Sequence, residues 1–152
     1  MVQGRHTKQL LPDVAAYIAG LVDGEGTVTL SRLHANENRR IVVSIANTEF
    51  QLLSFVVAQV GAGKITRKKT NSVRHTPSFC YAVTSRQALS LLRQITPHLR
   101  SYKRQRAELA LQQYQLLTPR NGKYTATQLA KRREFEHDLL SLSAAKGDLK
   151  NV

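Results

Sequence analysis

The chain is 152 residues long, 41% hydrophobic and 6% aromatic, with 23 lysines and arginines against 10 acids and a net charge of +13. That length suits one domain with a sizeable core, and the excess of positive charge asks for a polyanionic partner, nucleic acid first. One cysteine, Cys80, excludes an intrachain disulfide and fits an intracellular, reducing compartment, organelle or prokaryotic cytoplasm alike. No apolar run reaches spanning length, MVQGRHTKQLL lacks a signal-peptide core, and neither a membrane partner nor a small-molecule substrate is expected.

Met1 to Gln9 reads as a mobile basic lead. Pro12 and Asp13 sit where a helix should begin, because proline tolerates the first turn and aspartate favours the positive end of the dipole. The helix is expected to run to about Val22, with Tyr17, Ile18, Leu21 and Val22 apolar at helical spacing and Ala15, Ala16, Ala19 and Gly20 small between them. It ends in Asp23-Gly24-Glu25-Gly26, two carboxylates at the negative end of a helix dipole, an uncomfortable placement unless a cation joins them. The plain alternative is a glycine-rich turn with solvated acids.

Thr27 to Ser31 then alternates in strand fashion, with Val28, Leu30 and Arg32 on one parity. His34 to Asn38 is a polar connection, and Arg40 to Ala46 forms a second strand with Ile41, Val43 and Ile45 on its core face. Thr48 and Gln51 resemble a capping box ahead of a helix through Val60 that stops at Gly61. Lys64 to Thr70 and Ser78 to Thr84 read as two strands around a loop from Asn71 to Pro77. Ser85 is placed to cap a helix through Ile95, stopped at Thr96-Pro97.

From Lys103 to Leu117 a further helix opens with basic residues where its own dipole favours acids, which suggests work on an anion. Thr118 to Tyr124 is a turn, and Thr125 with Gln128 caps a last helix to about Leu142, ahead of a frayed tail. The order is that of a single α+β domain, core about 13–117: a four-stranded antiparallel sheet carries helices on one face and leaves the other open. No acid occurs between Glu49 and Glu108, while eleven lysines and arginines run from Lys64 to Arg106. The open face is expected to inherit most of that charge.

IAGLVDGEG, Ile18 to Gly26, resembles the nine-residue signature of the LAGLIDADG homing endonucleases. VGAGKI at Val60 to Ile65 resembles the family's Gly-x-Gly-lysine turn, and Pro97-His98-Leu99 ahead of Lys103 is similar to its Pro-x-Leu segment and following lysine, one residue longer in spacing. The likeness covers about Asp13 to Leu117. It implies a DNA-binding saddle and cleavage of both strands of a long pseudo-palindromic site with Mg²⁺ or Mn²⁺. Glu25 and the Gly24 carbonyl would hold the metal, and Asp23 would fix the turn after the helix. Asn47 stands where the family has an amide, commonly glutamine, that holds the water. Lys103 would be the lysine, with Arg104 and Arg106 beside it.

Thr29, Ser31, Arg32, Arg40, Ser44, Lys64, Thr66, Lys68, Lys69, Arg74 and Arg104 would touch double-stranded DNA. A single copy of the motif implies a homodimer, its two motif helices meeting at Ala16, Ala19 and Gly20. The rival readings are an intron-RNA-binding maturase and a non-catalytic DNA-binding regulator of the same fold. A base-stacking RNA-binding sheet is disfavoured by the 6% aromatic content.

Overall fold

Helix α1 (Pro12–Glu25) turns one stripe inward, where Ala15, Ile18, Ala19 and Val22 are buried. The computed structural model describes residues 6–69, 72–147 and 149–151. After α1 come β1 (Gly26–Ser31), β2 (Arg40–Asn47), α2 (Phe50–Val60), β3 (Lys64–Arg67), β4 (Phe79–Thr84), α3 (Ser85–Ile95), α4 (Tyr102–Gln113) and α5 (Ala126–Ser141). Short 3-10 turns cover Thr96–His98 and Leu149–Asn151.

The strands form one antiparallel sheet in the order β1-β2-β4-β3. Its inner face carries the row Val28, Val43 and Val83 and the row Ile45, Tyr81 and Ile65. Helices α1 and α3 lie on β2, α2 reaches β2, β3 and β4, and α4 and α5 pack against β1. Ile18, Ile41, Ile45, Leu53, Leu91, Leu92 and Leu99 are completely enclosed between sheet and helices. Each such side chain contributes about 1.5–3 kcal/mol relative to leaving it in water.

Several boundaries differ from the sequence reading, each for a local reason. Helix α1 runs three residues past Val22, because the Gly26 N–H bonds the Val22 carbonyl and a lysine ammonium takes further carbonyls of the last turn. The Thr48–Gln51 capping box does not form. Glu49 is the N-cap of α2, and the Asn47 Oδ1 accepts its N–H at 2.8 Å.

Strand β3 stops at Arg67, although Lys68 still donates its N–H to the Ser78 carbonyl at 2.8 Å; Thr70 and Asn71 lie outside the described residues. Arg32 falls beyond β1 and is exposed rather than on the buried parity. Ser85 does not cap α3: Thr84 is the N-cap, without a side-chain bond, and Ser85 turns the chain at φ +56°. Helix α4 ends at Gln113, short of Leu117, and Leu116 is exposed. The expected mobile lead falls partly on Met1 to Arg5, outside the described residues. Thr7 and Lys8, by contrast, are tied to Ser90 and to the Val60 carbonyl by their backbone N–H groups at 3.0 and 2.8 Å.

The capping box of α5 forms as expected: Gln128 N–H donates to Thr125 Oγ1 at 3.1 Å and Thr125 N–H to Gln128 Oε1 at 2.9 Å. The Gly-x-Gly turn after α2 also has a physical basis. Gly61 closes the helix at φ +71°, and at Gly63, φ +89°, a Cβ would sit 2.6 Å from the Tyr81 ring. The Tyr81 hydroxyl donates to the Ala62 carbonyl at 2.9 Å, which fastens that turn to β4.

Candidate active site and nucleic-acid interface

Where α1 passes into β1 the chain is wedged so closely between β2 and the last turns of α1 that only glycine fits. A Cβ on Gly26 would lie 2.7 Å from both the Ser44 carbonyl oxygen and the Val22 Cα. The two acids of the motif meet different surroundings. Asp23 is half-buried, and its carboxylate accepts the Arg100 N–H at 2.8 Å, the Ser101 N–H at 3.1 Å and the Ser101 hydroxyl at 2.5 Å. Burial raises the Asp23 pKa, but those three donors and the nearby Lys103 charge outweigh it and hold the carboxyl below its usual value. Asp23 thus fixes the start of α4, rather than the turn after its own helix as expected.

Glu25 has no such neighbours: it is exposed, as is Gly24, and among the described residues its carboxylate has no hydrogen-bond or ion-pair partner. A free carboxylate and adjacent carbonyls are hard oxygen donors, the set that Mg²⁺ and Mn²⁺ take. Among the described residues no cluster of three or more histidines, cysteines and acids could hold a metal.

Lys103 is buried against this turn. Its ammonium donates to the Val22 carbonyl at 2.9 Å and to the Asp23 carbonyl at 2.8 Å, where the α1 dipole is negative. Desolvation pulls its pKa down, the Asp23 charge pushes it back up, and Arg106 adds to the fall; the net effect is a lowered value. Asn47 is two residues along β2 from the Ile45–Gly26 pair, so the sheet register sets it beside the same junction. Its Oδ1 is engaged by Glu49, which leaves its amide N–H groups as the donors it can offer. Lys103 is thus fixed at the end of α1, Glu25 lies exposed in the same last turn, and the strand register sets Asn47 two residues beyond the partner of Gly26.

The open face of the sheet holds the row Thr27, Ser44, Ala82 and Lys64 and the row Thr29, Val42 and Thr84. Ser31 pairs with Arg40 at one end, and Ala46, Cys80 and Thr66 lie toward the other. Thr29, Ser31, Arg40, Ser44, Lys64 and Thr66 thus share this face. Lys68 continues its parity, Arg32 is in the β1–β2 connection, Lys69 follows β3, and Arg74 is in the β3–β4 loop.

The middle of the face is small and neutral, with cations around the rim, so it does not inherit most of the charge. Of the eleven basic residues between Lys64 and Arg106, six (Arg86, Arg93, Arg100, Lys103, Arg104 and Arg106) are on α3, on α4 or just ahead of it. Arg104 is not brought to the sheet face either: it pairs with Glu108 at 2.9 Å along α4.

The basic first turn of α4, expected to act on an external anion, largely answers other helices. Lys103 covers the C-terminal end of α1. The Arg106 guanidinium donates to the Leu142 carbonyl at 2.9 Å, the Leu140 carbonyl at 3.3 Å and the Val28 carbonyl at 3.1 Å, and so closes the end of α5 onto β1. Sequence reasoning also missed Arg132, which is enclosed by the fold, stacks on Tyr114 and Phe135, and bonds the Arg39 carbonyl, the Thr118 hydroxyl and the Leu117 carbonyl. Glu136, one turn on, accepts the Arg39 N–H at 2.7 Å. The only hint in the sequence was the Arg–Glu spacing of four on α5.

The outer stripe of α1 exposes Ala16, Gly20 and Gly24, and a Cβ on Gly20 or Gly24 would meet nothing within 4 Å among the described residues. Ala19 is different. It is completely buried in the chain's own core, so it is not on the surface where a partner helix was expected. Beside the stripe, Tyr17 and Phe55 touch edge to face, their centroids 5.8 Å apart, with both rings partly exposed.

No protein-family profile and no curated relative matches the sequence. Solved structures do match. The homing endonuclease I-CvuI, in complex with its target in the presence of calcium, superposes with a TM-score of 0.70 at 20% identity, over 89% of this chain and 85% of that one. The archaeal intron-encoded homing endonuclease I-Vdi141I, complexed with DNA, gives 0.59 at 16% identity over 91% of each chain. The LAGLIDADG meganuclease I-AabMI, bound to uncleaved DNA, gives 0.61 at 19% identity, and this chain covers 90% of itself but 47% of that protein. The chain has the fold of the LAGLIDADG homing endonucleases.

Proposed function

We propose that this chain is one half of a homodimeric, divalent-metal-dependent DNA endonuclease that makes a double-strand break in a long pseudo-palindromic site. The observation that carries this reading is the free Glu25 carboxylate, at the negative end of a helix whose outward stripe, Ala16, Gly20 and Gly24, is small and uncovered. An acid there is disfavoured in the isolated chain, and a bound cation relieves the repulsion. A two-fold axis along that stripe would bring a second Glu25 alongside the first. That this chain covers nearly all of I-CvuI but 47% of I-AabMI fits a unit used twice.

Glu25 and the Gly24 carbonyl would hold Mg²⁺ or Mn²⁺, which when bound lowers the pKa of water and offsets charge developing on phosphate. Asn47 offers amide N–H groups to orient a water or a phosphate oxygen. Lys103, fixed by two carbonyls, places a positive charge close to the scissile group without needing a solvent-exposed arm. On the sheet, the small neutral side chains of Ser44, Ala46, Cys80 and Ala82 leave room for base edges, while Arg40, Lys64, Lys68 and Arg74 meet phosphates at the rim. A binding protein without catalysis would have no use for an unpaired acid at this helix end.

The test begins with a DNA target selected by cleavage from a randomised library. Glu25→Gln should abolish metal-dependent cleavage of that target and leave its affinity within a few-fold, because the substitution removes the metal's charged ligand and no sheet residue. Undiminished cleavage by Glu25→Gln would overturn the assignment.

A further inference from the structure

The helix layer holds two kinds of cation. Lys103, Arg106 and Arg132 are turned inward onto carbonyls. Arg86 and Arg120 have no hydrogen-bond or ion-pair partner among the described residues, and Arg93 has only a 3.5 Å bond to the Gln115 amide. These last three arginines line one concavity of about 210 Å³, between α3 and the turn that follows α4, with no acid in its wall. Arg86 is in the first turn of α3, where the helix dipole disfavours a cation and no acid offsets it. Three guanidinium groups gathered without a counter-charge raise the free energy of the isolated protein and lower it when an anion binds.

The concavity adjoins the proposed DNA face through one shared residue. His6 lines both it and the larger hollow of about 810 Å³ that includes Arg40, Lys64 and Ser31, at the end of the sheet away from Glu25. A basic track therefore leads from the open face, over the outer end of the sheet, to the helix side.

We infer that duplex DNA flanking the recognition site continues past the outer end of the sheet and rests its phosphates against Arg86, Arg93 and Arg120. The contact is independent of sequence and lengthens the footprint beyond the bases that the sheet reads. It rests on the nuclease reading above.

The test measures affinity by fluorescence anisotropy, in calcium to prevent cleavage, for a duplex limited to the selected site and for one longer by about one helical turn, ~10 base pairs, at each end. The unmutated protein should bind the longer duplex several-fold more tightly, with a salt dependence steeper by up to about 5 in log–log slope, for three added contacts in each of two protomers. The triple variant Arg86→Gln/Arg93→Gln/Arg120→Gln should lose that gain, yet bind the short duplex and cut at the same position as before. Equal affinity of the unmutated protein for both lengths, or a gain retained by the variant, overturns the inference while the nuclease reading stands. A single-stranded RNA that binds the unmutated protein more tightly than the flanked duplex, and loses that binding in the variant, overturns the choice of DNA as occupant. Failure to bind either duplex overturns the nuclease reading and this inference with it.

Discussion

Asp23 and Glu25 are two residues apart, both carboxylates, and used in opposite ways. The difference lies in what surrounds each: Asp23 meets the N–H groups and hydroxyl at the start of α4, whereas Glu25 meets solvent. Because the folded pKa of Asp23 is below its unfolded value, its contribution to stability is present above the unfolded pKa and is lost as pH falls through the folded one. Asp23→Asn should therefore lower the melting temperature at neutral pH, and the gap to the unmutated protein should narrow in acid. Thermal melts across pH 2 to 7 check this, and a gap of constant size would contradict it. Both acids were legible in the sequence as a motif. Their division of labour was not, because the partner of Asp23 lies 77 and 78 residues away, on the far side of the sheet-forming segments.

At the scale of elements, the nine-element order and the core face of β2 could be read from periodicity, since alternation in Ile41, Val43 and Ile45 survives any neighbour. Helix ends were less legible. The last turn of α1 depends on the Lys103 ammonium, and the cations of α4 answer the carbonyl ends of α1 and α5 rather than their own dipole, which no local pattern encodes. Helix α5 fastens the β1–β2 connection through Arg39, Arg132 and Glu136. Arg132→Ala should cost about 3–5 kcal/mol, because it leaves the Glu136 carboxylate buried without its closest cation and empties the space beside Tyr114 and Phe135. Chemical denaturation measures that loss, and a change under 1 kcal/mol, the range of an ordinary surface pair, would contradict the role.

For the whole molecule, folding and assembly draw on different faces of α1. Ala15, Ile18, Ala19 and Val22 hold the core, while Ala16 and Gly20 leave an open stripe that is exposed among the described residues. Gly20→Leu should then keep the fold, and even add up to ~1 kcal/mol of helix propensity to the single chain, while it blocks the close approach of a second helix. The sequence suggested this separation through small residues at helical spacing, though Ala19 shows that smallness alone does not say which neighbour it accommodates. Sedimentation of the unmutated protein and of Gly20→Leu, with double-strand cleavage of the selected target measured on the same samples, addresses the dimer directly. A two-chain species that cuts both strands, reduced in Gly20→Leu to a folded single chain that cuts neither, is the expected result; a stable single chain of the unmutated protein that still makes double-strand breaks would contradict it.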